Sequence, residues 1–513
     1  MAHPGHTERM SEHALFSRLR QGPPPPPPGR SRPSGVLPED LEDLFSDCGD
    51  FERREVLAGG EESRPVRVFW LDGLTSGKDV SEDVLRPLTQ PGRFAGAGHL
   101  QEAIRAGGVW ACACRLRDTA EETAADLLRG CCALVFPAGG QAVTFEVKSQ
   151  DKRAVSQPTV EKTLKGAKDA FTEVLRVNTT LIRRRLRTPD AKLVQTTVGR
   201  RSGTDVAVLY IDGIADPSLV AQVRRRLDAI DVDGLTAAGN LEQYITDRPR
   251  SLFPQLLHTE RPDRFAAELL AGRVGLLADG LPLGFLLPGT LVAFLRVAED
   301  RGQNWAVASL LLLLRWLSLG VSLLLPALFT AMAVYHPEMI PTRLLLSMVE
   351  AKQSVPFALE TELLAMLLAF ELLMEAGLRL PDPVGDTVSI IGGLIVGQSA
   401  VEAKIVSPVS LIVVAAAAIC GFTQPSRDLG AALRLLRFGL VLLASALGLV
   451  GVMAGAAGLV WYLCTMDVFG RSYLAPLTEG GLREVLRALL RLPLPAEKYR
   501  ERALRTRDRR AQA

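Results

Sequence analysis

The stretch VAVLYIDG, Val206–Gly213, is an apolar run of strand length that closes on Asp-Gly, a common turn pair. The same pattern occurs 140 residues earlier as VRVFWLDG, Val66–Gly73. A second pair of segments also matches, AADLLRGCCALV at Ala124–Val135 and AAELLAGRVGLL at Ala266–Leu277, and a short hairpin-like stretch follows each. Three matched blocks in the same order predict a duplicated α/β module, each copy a strand, a turn, helices and a closing hairpin.

The sequence around this repeat predicts six regions. They are a disordered Pro-rich tail (1–40), a first α/β subdomain (41–155), a bridging helical segment (156–195), a second α/β subdomain (196–300), a transmembrane helical domain (301–470) and a basic cytoplasmic tail (471–513). The bridging segment should be helical over 160–187 and ends in a run of arginines, Arg183 to Arg187. A solvated bridging helix or a surface for anionic lipid or nucleic acid would explain that run.

Composition separates the soluble part from the apolar part. The chain has 513 residues, 48% of them hydrophobic, with 59 basic and 57 acidic side chains. A net charge of +2 excludes a polycation that works on nucleic acid. Only 18 charged residues occur among the 164 from Gln303 to Met466. The seven cysteines lack zinc-site spacing, and the first twenty residues lack an apolar signal-peptide core. We therefore expect free thiols and a cytoplasmic N-terminal region.

Five apolar runs of near-membrane length follow residue 301. They are Trp316–Tyr335, Pro356–Leu378, Val388–Ile405, Pro408–Phe422 and Gly439–Cys464. The predicted fold class is α/β plus membrane α-helical, a duplicated cytoplasmic α/β module followed by a polytopic transmembrane helical domain. If the N-terminal module and the basic tail are both cytoplasmic, the number of crossings is even. One of the five runs then fails to cross, or the basic tail misleads.

Ionisable residues inside such runs are costly and usually functional. Three carboxylates share one helical face, because at about 100° per residue they lie within about 60° of each other: Glu360, Glu371 and Glu375. In an oligomer these faces would form stacked carboxylate rings that favour cations. Pairing of Glu371 and Glu375 with Arg379, or an interfacial helix, would explain them without a pore, and this simpler explanation is the stronger one.

A second polar ridge is formed by Gln398 and Glu402, four residues apart, with Lys404 close by. A local ion pair or a helix end explains it nearly as well as a pore lining. The sequence contains no phosphate-binding loop, no nucleophile elbow and no histidine with a metal partner at helical spacing. We therefore expect no enzyme activity, no cofactor and no metal site.

Six blocks in order resemble the A-subunit family of spore germinant receptors (GerA type), from about residue 60 to 475. The blocks are AFTEVLRVNTTLIRRRL (Ala170–Leu186), YIDGIADPSLV (Tyr210–Val220), FPQLLHTERPD (Phe253–Asp263), HPEMIPT (His336–Thr342), GGLIVGQSAVEAKIVSPVS (Gly392–Ser410) and TQPSRDLGAALRLLRF (Thr423–Phe438).

The resemblance implies a multi-pass subunit of a nutrient-sensing complex in the spore inner membrane. Its partners would be a transporter-like B subunit, a lipoprotein C subunit and further copies of itself, in contact with membrane lipid and monovalent cations but not nucleic acid. The family is thought to form a ring-shaped, ligand-gated cation channel. Alternatives are an amplifying paralogue encoded with the dipicolinate-release proteins and a non-conducting membrane scaffold. A secondary transporter is disfavoured because the repeat is confined to the soluble half.

Overall fold

The structure, a computed structural model, describes residues 35–58, 65–90, 112–136, 140–149, 158, 161, 163, 165–235, 237–379, 397–479 and 481–512. Most of the Pro-rich tail and the first part of the run Val388–Ile405 lie outside these residues. The chain divides into two compact units. The first comprises Met1–Leu44, Arg53–Trp70 and Gly77–Val147, and the second comprises Phe45–Glu52, Leu71–Ser76 and Lys148–Ala513.

The first sheet has five strands in the order β1-β2-β4-β5-β3. Its elements are α1 (Pro38–Leu44), β1 (Phe51–Leu57), β2 (Pro65–Leu71), three consecutive helical pieces (Gly77–Asp79, Val80–Leu85, Arg86–Thr89), β3 (Cys114–Arg117), α2 (Ala120–Leu127), β4 (Cys131–Val135) and β5 (Ala142–Glu146). Apolar side chains such as Val68, Leu134 and Phe145 are fully buried and form its core with the helical pieces.

The second sheet also has five strands, in the order β6-β7-β9-β10-β8. Its elements are α3 (Leu175–Arg185), β6 (Ala191–Val198), β7 (Thr204–Ile211), α4 (Pro217–Asp228), α5 (Ala238–Ile245), β8 (Leu257–Thr259), α6 (Pro262–Ala271), β9 (Val274–Ala278), β10 (Gly284–Leu287) and α7 (Leu291–Leu295). Helix α6 packs its Phe265 ring over Gly275 and Gly284, where a Cβ would lie within 3 Å of the ring. The two glycines thus make room for the central aromatic of this core.

The two sheets have the same strand order, which confirms the duplication predicted from the sequence. Main-chain geometry repeats as well. The N–H of Asp72 donates to the carbonyl of Asp50, and the N–H of Asp212 donates to that of Asp190, both at 2.8 Å. The glycine after each Asp-Gly aspartate has a positive φ, +83° and +77°, so these pairs are turns in both copies.

The bridging segment differs from the predicted helix over 160–187. Among the described residues of this segment, only Leu175–Arg185 is helical, and β6 begins at Ala191, inside the region expected to bridge. The residues before the helix are tied to the second sheet instead, because the N–H of Phe171 donates to the carbonyl of Glu260 and its ring packs edge-on against Phe265. A buried aromatic therefore overrides local helix propensity here.

Burial and ion pairing change the interpretation of two arginines of the basic run, whereas Arg184 and Arg187 are exposed. Arg183 is 3% exposed and donates two hydrogen bonds of 2.7 Å to the carboxylate of Asp50. Nη2 of Arg185 donates to both carboxylate oxygens of Asp169 at 2.6 Å. Arg183 is consequently a core residue of the second unit and no part of a solvated or lipid-binding surface.

The C-terminal part is helical. Its main elements are α8 (Trp305–Tyr335), α9 (Thr342–Gln353), α10 (Leu359–Arg379), α11 (Pro408–Phe422), α12 (Arg427–Cys464), the strands β11 (Asp467–Val468) and β12 (Arg471–Ser472), and α13 (Leu482–Leu489). In the part of the chain that the structure describes, α8 and α12 are long and apolar enough to cross a membrane, judged by length and composition. Five such runs were expected from the sequence, but α11 has only 15 residues and α10 does not meet the same limit.

Helix α12 reverses direction near its middle. Gly448 has φ +61° and ψ −141°, outside the helical region. A Cβ on Gly451 would lie 2.1 Å from the carbonyl oxygen of Leu443, and one on Gly455 would lie 2.5 Å from Leu440. Residues eight and fifteen apart in one straight helix cannot approach so closely. Helix α12 is therefore an antiparallel hairpin, and Gly451-x-x-x-Gly455 lets its two halves pack.

Candidate functional site

The predicted carboxylates lie on α10, but they have different environments. Glu371 accepts a 3.0 Å hydrogen bond from Nε of Arg434 on α12. Glu360 is half-buried and Glu375 is exposed. Glu371 thus has a partner on another helix, whereas the side chain of Arg379, the local partner considered from the sequence, lies outside the described residues. Glu371 and Arg434 remain 40% and 28% exposed, which leaves this ion pair accessible from outside the chain.

Glu362 is a buried carboxylate that the sequence interpretation missed. It is 2% exposed, and its Oε2 accepts a 2.6 Å hydrogen bond from Nζ of Lys352. Its Oε1 accepts from the main-chain N–H of Ser407 just before α11. Helical spacing could have indicated its burial, because Glu362 lies on the same face as Leu363 and Met366, opposite Glu360. Its contacts fix the ends of α9, α10 and α11 to one another.

Arg437 is the most buried charge of α12. It is 5% exposed, and its Nη2 donates to the hydroxyl of Ser322 on α8 and to the carbonyl of Ala417 on α11. Its Nε has no hydrogen-bond partner among the described residues. Beside it lies a cavity of about 30 Å³, large enough for one water molecule, which Glu371 and Arg434 also line.

The structure places the arginines before the last apolar run inside a helix and not in a loop. Arg427, Arg434 and Arg437 precede the apolar run Gly439–Cys464, and a basic cluster in that position usually indicates a cytoplasmic loop. The helix in fact begins at Arg427, so Arg434 and Arg437 lie two and three turns inside it. Together with Glu371 they form a charged cluster within the helix bundle.

Gln398 and Glu402 form a local contact. The amide of Gln398 donates to Oε1 of Glu402 at 2.9 Å within the short helix 397–402, and both side chains are exposed. Among the described residues, neither side chain forms a hydrogen bond with Glu371, Arg434 or Arg437. No group of three or more metal-ligating side chains occurs in the described residues.

The second α/β subdomain holds both ends of the α12 hairpin. Nδ1 of His258 on β8 lies 3.3 Å from the carboxylate of Asp428, and its Nε2 lies 3.2 Å from Glu242 on α5. At the other end, Arg248 donates a 2.6 Å hydrogen bond to the carbonyl of Thr465. Burial lowers the pKa of His258, but the two carboxylates outweigh it and raise that pKa to about 9. The imidazolium is thus charged near neutral pH and joins the subdomain to the hairpin.

The fold and this cluster define a class: a duplicated α/β module attached to apolar helices that carry ionisable side chains. The chain belongs to the Bacillus/Clostridium GerA spore germination protein family, which it matches over residues 39–503. The family description names spore germination and no chemical reaction. Membership confirms the predicted resemblance and supports a role in spore germination.

Relatives extend over nearly the whole chain. The uncharacterized membrane protein YfkQ of Bacillus subtilis (strain 168) is 35% identical over 463 residues, 89% of this chain and 89% of that protein. Spore germination protein KA of the same organism is 33% identical over 461 residues, 89% of this chain and 84% of that protein. A crystal structure of the N-terminal domain of the A subunit of the Bacillus megaterium spore germinant receptor GerK3 is 26% identical, covers 50% of this chain and 97% of that chain, and has a TM-score of 0.38.

Proposed function

We propose that the chain is the A subunit of a nutrient-sensing spore germinant receptor and that copies of it form a ligand-gated cation channel in the spore inner membrane. The observation that carries the channel is the position of Glu371 and Glu375 on α10. Both carboxylates are accessible from outside a single chain, and Glu371 is joined to α12 through Arg434. Copies arranged around an axis would place these carboxylates along a common path for cations.

A membrane position is supported by the outer surface of the helices. Within the most apolar windows of α8 and α12, only 44% and 33% of the residues are buried. A core helix of a water-soluble protein would instead be mostly buried. Large apolar side chains point outward, among them Ile412, Val450 and Met453, at 66%, 69% and 67% exposed. Such a surface suits lipid or neighbouring copies.

The hairpin supports an even number of crossings. Both ends of α12 contact the second α/β subdomain, through His258 and Arg248, so its first half would leave that side and its second half would return. Gln424, just before α12, donates to the carbonyl of Arg315 in the first third of α8. The chain is therefore back near the start of α8 before the hairpin begins. We infer a C-terminal tail on the same side as the α/β module.

The proposed mechanism couples a partner subunit to this assembly. A nutrient bound by the transporter-like B subunit would favour the open state of the A-subunit oligomer by its differential affinity for the two states. The lipoprotein C subunit would complete the complex. In this account, the contacts of His258 and Arg248 transmit movement of the α/β module to the hairpin, because they join the two directly.

Potassium release from spores of a deletion strain, exposed to single nutrients in turn, tests this function. Loss of release for one nutrient class, restored by the reintroduced wild-type gene, would support the receptor subunit. A delay across all nutrients would favour the amplifying paralogue. Normal release throughout, in a strain that lacks every other copy of the family, would contradict a role in nutrient-triggered ion release.

A further inference from the structure

A cavity in the second unit is lined by both charged and apolar side chains. It has a volume of about 390 Å³ and lies among helix α6, the first turns of α8, helix α13 and the C-terminal tail. Seven arginines and five carboxylates line it, an excess of two positive charges. Apolar residues of α8, Ala308 and Leu312, complete one wall. The lining thus combines a positive polar part with the start of an apolar helix.

Intramolecular bonds preorganise these arginines without using all their donors. Glu268 on α6 accepts from Arg273 at 3.0 Å and from Arg301 at 2.8 Å. Burial raises the pKa of Glu268, but the surrounding arginines outweigh it and lower that pKa to about 2. In the described residues, the guanidinium of Arg301 donates through Nη2 alone, and its side chain is 50% exposed. Arg296, 40% exposed, is held by Glu501 and by the carbonyl of Arg487.

Helix α13, LREVLRAL, is amphipathic and forms part of this cavity. Leu482 and Leu486 are 76% and 43% exposed, whereas Glu484 and Ala488 are buried against the protein. Arg487 of the same helix lines the cavity and is bound by Glu484 at 3.2 Å. A helix with exposed leucines beside arginines is typical of a segment that lies in the interface of a membrane.

The position of α13 along α8 agrees with that interface. The indole N–H of Trp316 donates to the carbonyl of Ala488 at 3.4 Å, and the hydroxyl of Ser309 donates to that of Arg491 at 2.9 Å. Helix α8 has 31 residues, about 46 Å, whereas a hydrocarbon core is about 30 Å thick. The helix is therefore longer than the core is thick, and we infer that its first turns lie in the layer of the lipid headgroups. Trp461, 70% exposed near the returning end of the hairpin, fits an aromatic belt at this level.

We propose that this cavity binds the phosphate headgroup of an anionic phospholipid, with Arg296 and Arg301 as its main phosphate ligands and the leucines of α13 against the acyl chains. The excess positive charge favours an anionic headgroup over a zwitterionic one, because a choline group would be repelled. The site rests on the proposed membrane placement, and it would anchor the tail and the second α/β subdomain to the bilayer at the start of α8.

The test uses the purified full chain in detergent and measures its thermal denaturation midpoint. Dioctanoyl phosphatidylglycerol, dioctanoyl phosphatidylcholine and sodium phosphate are titrated separately. The variant is Arg296→Gln plus Arg301→Gln. The matched control, Arg200→Gln plus Arg201→Gln, removes the same charge from an exposed hairpin where the side chains are 67% and 83% exposed.

We expect phosphatidylglycerol to raise the midpoint at concentrations about tenfold lower than phosphatidylcholine does. The double variant should lose most of this preference, and the control should keep it. Arg301→Gln alone, at a half-exposed position where Glu268 keeps its contact with Arg273, should weaken phosphatidylglycerol binding by about fivefold. Equal effects of both lipids, an equal effect of free phosphate, or an equal loss in the control would each overturn the proposal. No nutrient or ion flux enters this measurement, so its failure is distinct from failure of the proposed channel.

Discussion

Replacing His258 by glutamine should make the stability of the protein nearly independent of pH in a range where the wild type is not. His258 lies between Glu242 on α5 and Asp428 at the start of α12, with its ring edge-on to Phe285 at 5.1 Å between centroids. Its Nε2 makes no well-aligned hydrogen bond among the described residues, so the Glu242 contact is an ion pair. Glutamine keeps a polar side chain of similar length but removes the charge between the two carboxylates.

The magnitude follows from the pKa of the imidazole. That pKa is 6.5 for an ordinary histidine and about 9 in the folded chain. A rise of this size corresponds to about 3 kcal/mol of folding free energy. Because the folded-state pKa is the higher one, this stabilisation is complete below about pH 6.5 and declines as the pH rises through about 9. At higher pH the neutral ring contributes no charge to either carboxylate.

The assay is the free energy of unfolding of the full chain in detergent, at pH 6 and at pH 10. We expect wild type to exceed His258→Gln by about 3 kcal/mol at pH 6 and by little at pH 10. His336→Gln is the control, because the side chain of that histidine is 38% exposed and forms, among the described residues, a single ion pair with Glu338 at 3.2 Å. A wild-type advantage that is the same at both pH values would refute the ion-pair explanation.

Two further changes test the second unit. Asp50→Asn removes the carboxylate that neutralises the buried Arg183 and should lower the free energy of unfolding by about 3–5 kcal/mol. Asp47→Asn, the control at an exposed carboxylate, should lower it little. Similar small losses in both variants would contradict the importance of the buried ion pair. Gly275→Ala places a Cβ 2.2 Å from the Phe265 ring and should lower the free energy of unfolding, measured by urea denaturation, by about 1–3 kcal/mol. An unchanged free energy of unfolding would contradict the tight packing of Phe265 on Gly275.

The α/β part could be predicted from the sequence because its information is local and repeated. Strand runs that close on Asp-Gly recur at Val66–Gly73 and Val206–Gly213, and each is a strand followed by a turn in the structure. The bridging segment could not be predicted in this way. Phe171 is buried against Phe265, more than ninety residues later, and such a contact leaves no periodic pattern in the segment itself.

The hairpin in α12 also cannot be predicted from hydrophobic periodicity. The run around Gly448 is apolar on both sides, so hydropathy alone describes one long span. What reverses the chain is a backbone conformation outside the helical region at one glycine, with the Tyr335 ring within 3.1 Å of the position that a Cβ would occupy. Small residues at Gly451 and Gly455 indicated close packing, but not that the partner is the preceding half of the same segment.

The residues of the candidate site also divide into those that local spacing predicts and those that depend on distant partners. Helical spacing predicts that Glu360, Glu371 and Glu375 share one face of α10, whereas the buried roles of Glu362 and Arg437 depend on residues distant in sequence. Ser407 is 45 residues beyond Glu362, and Ser322 is 115 residues before Arg437. Sequence spacing within one helix cannot show which charge will meet a partner on another.

The central claim is that the oligomer conducts cations past the carboxylates of α10. The most direct measurement is the potassium conductance and the potassium-over-chloride selectivity of the purified protein, with its partner subunits, in planar bilayers. Glu371→Gln plus Glu375→Gln should lower both, because it removes two carboxylates per copy and leaves Arg434 unpaired. Glu338→Gln plus Glu350→Gln, two exposed carboxylates outside α10, should leave both unchanged. Unaltered conductance and selectivity in the first variant, or no conductance in the wild type, would contradict the account.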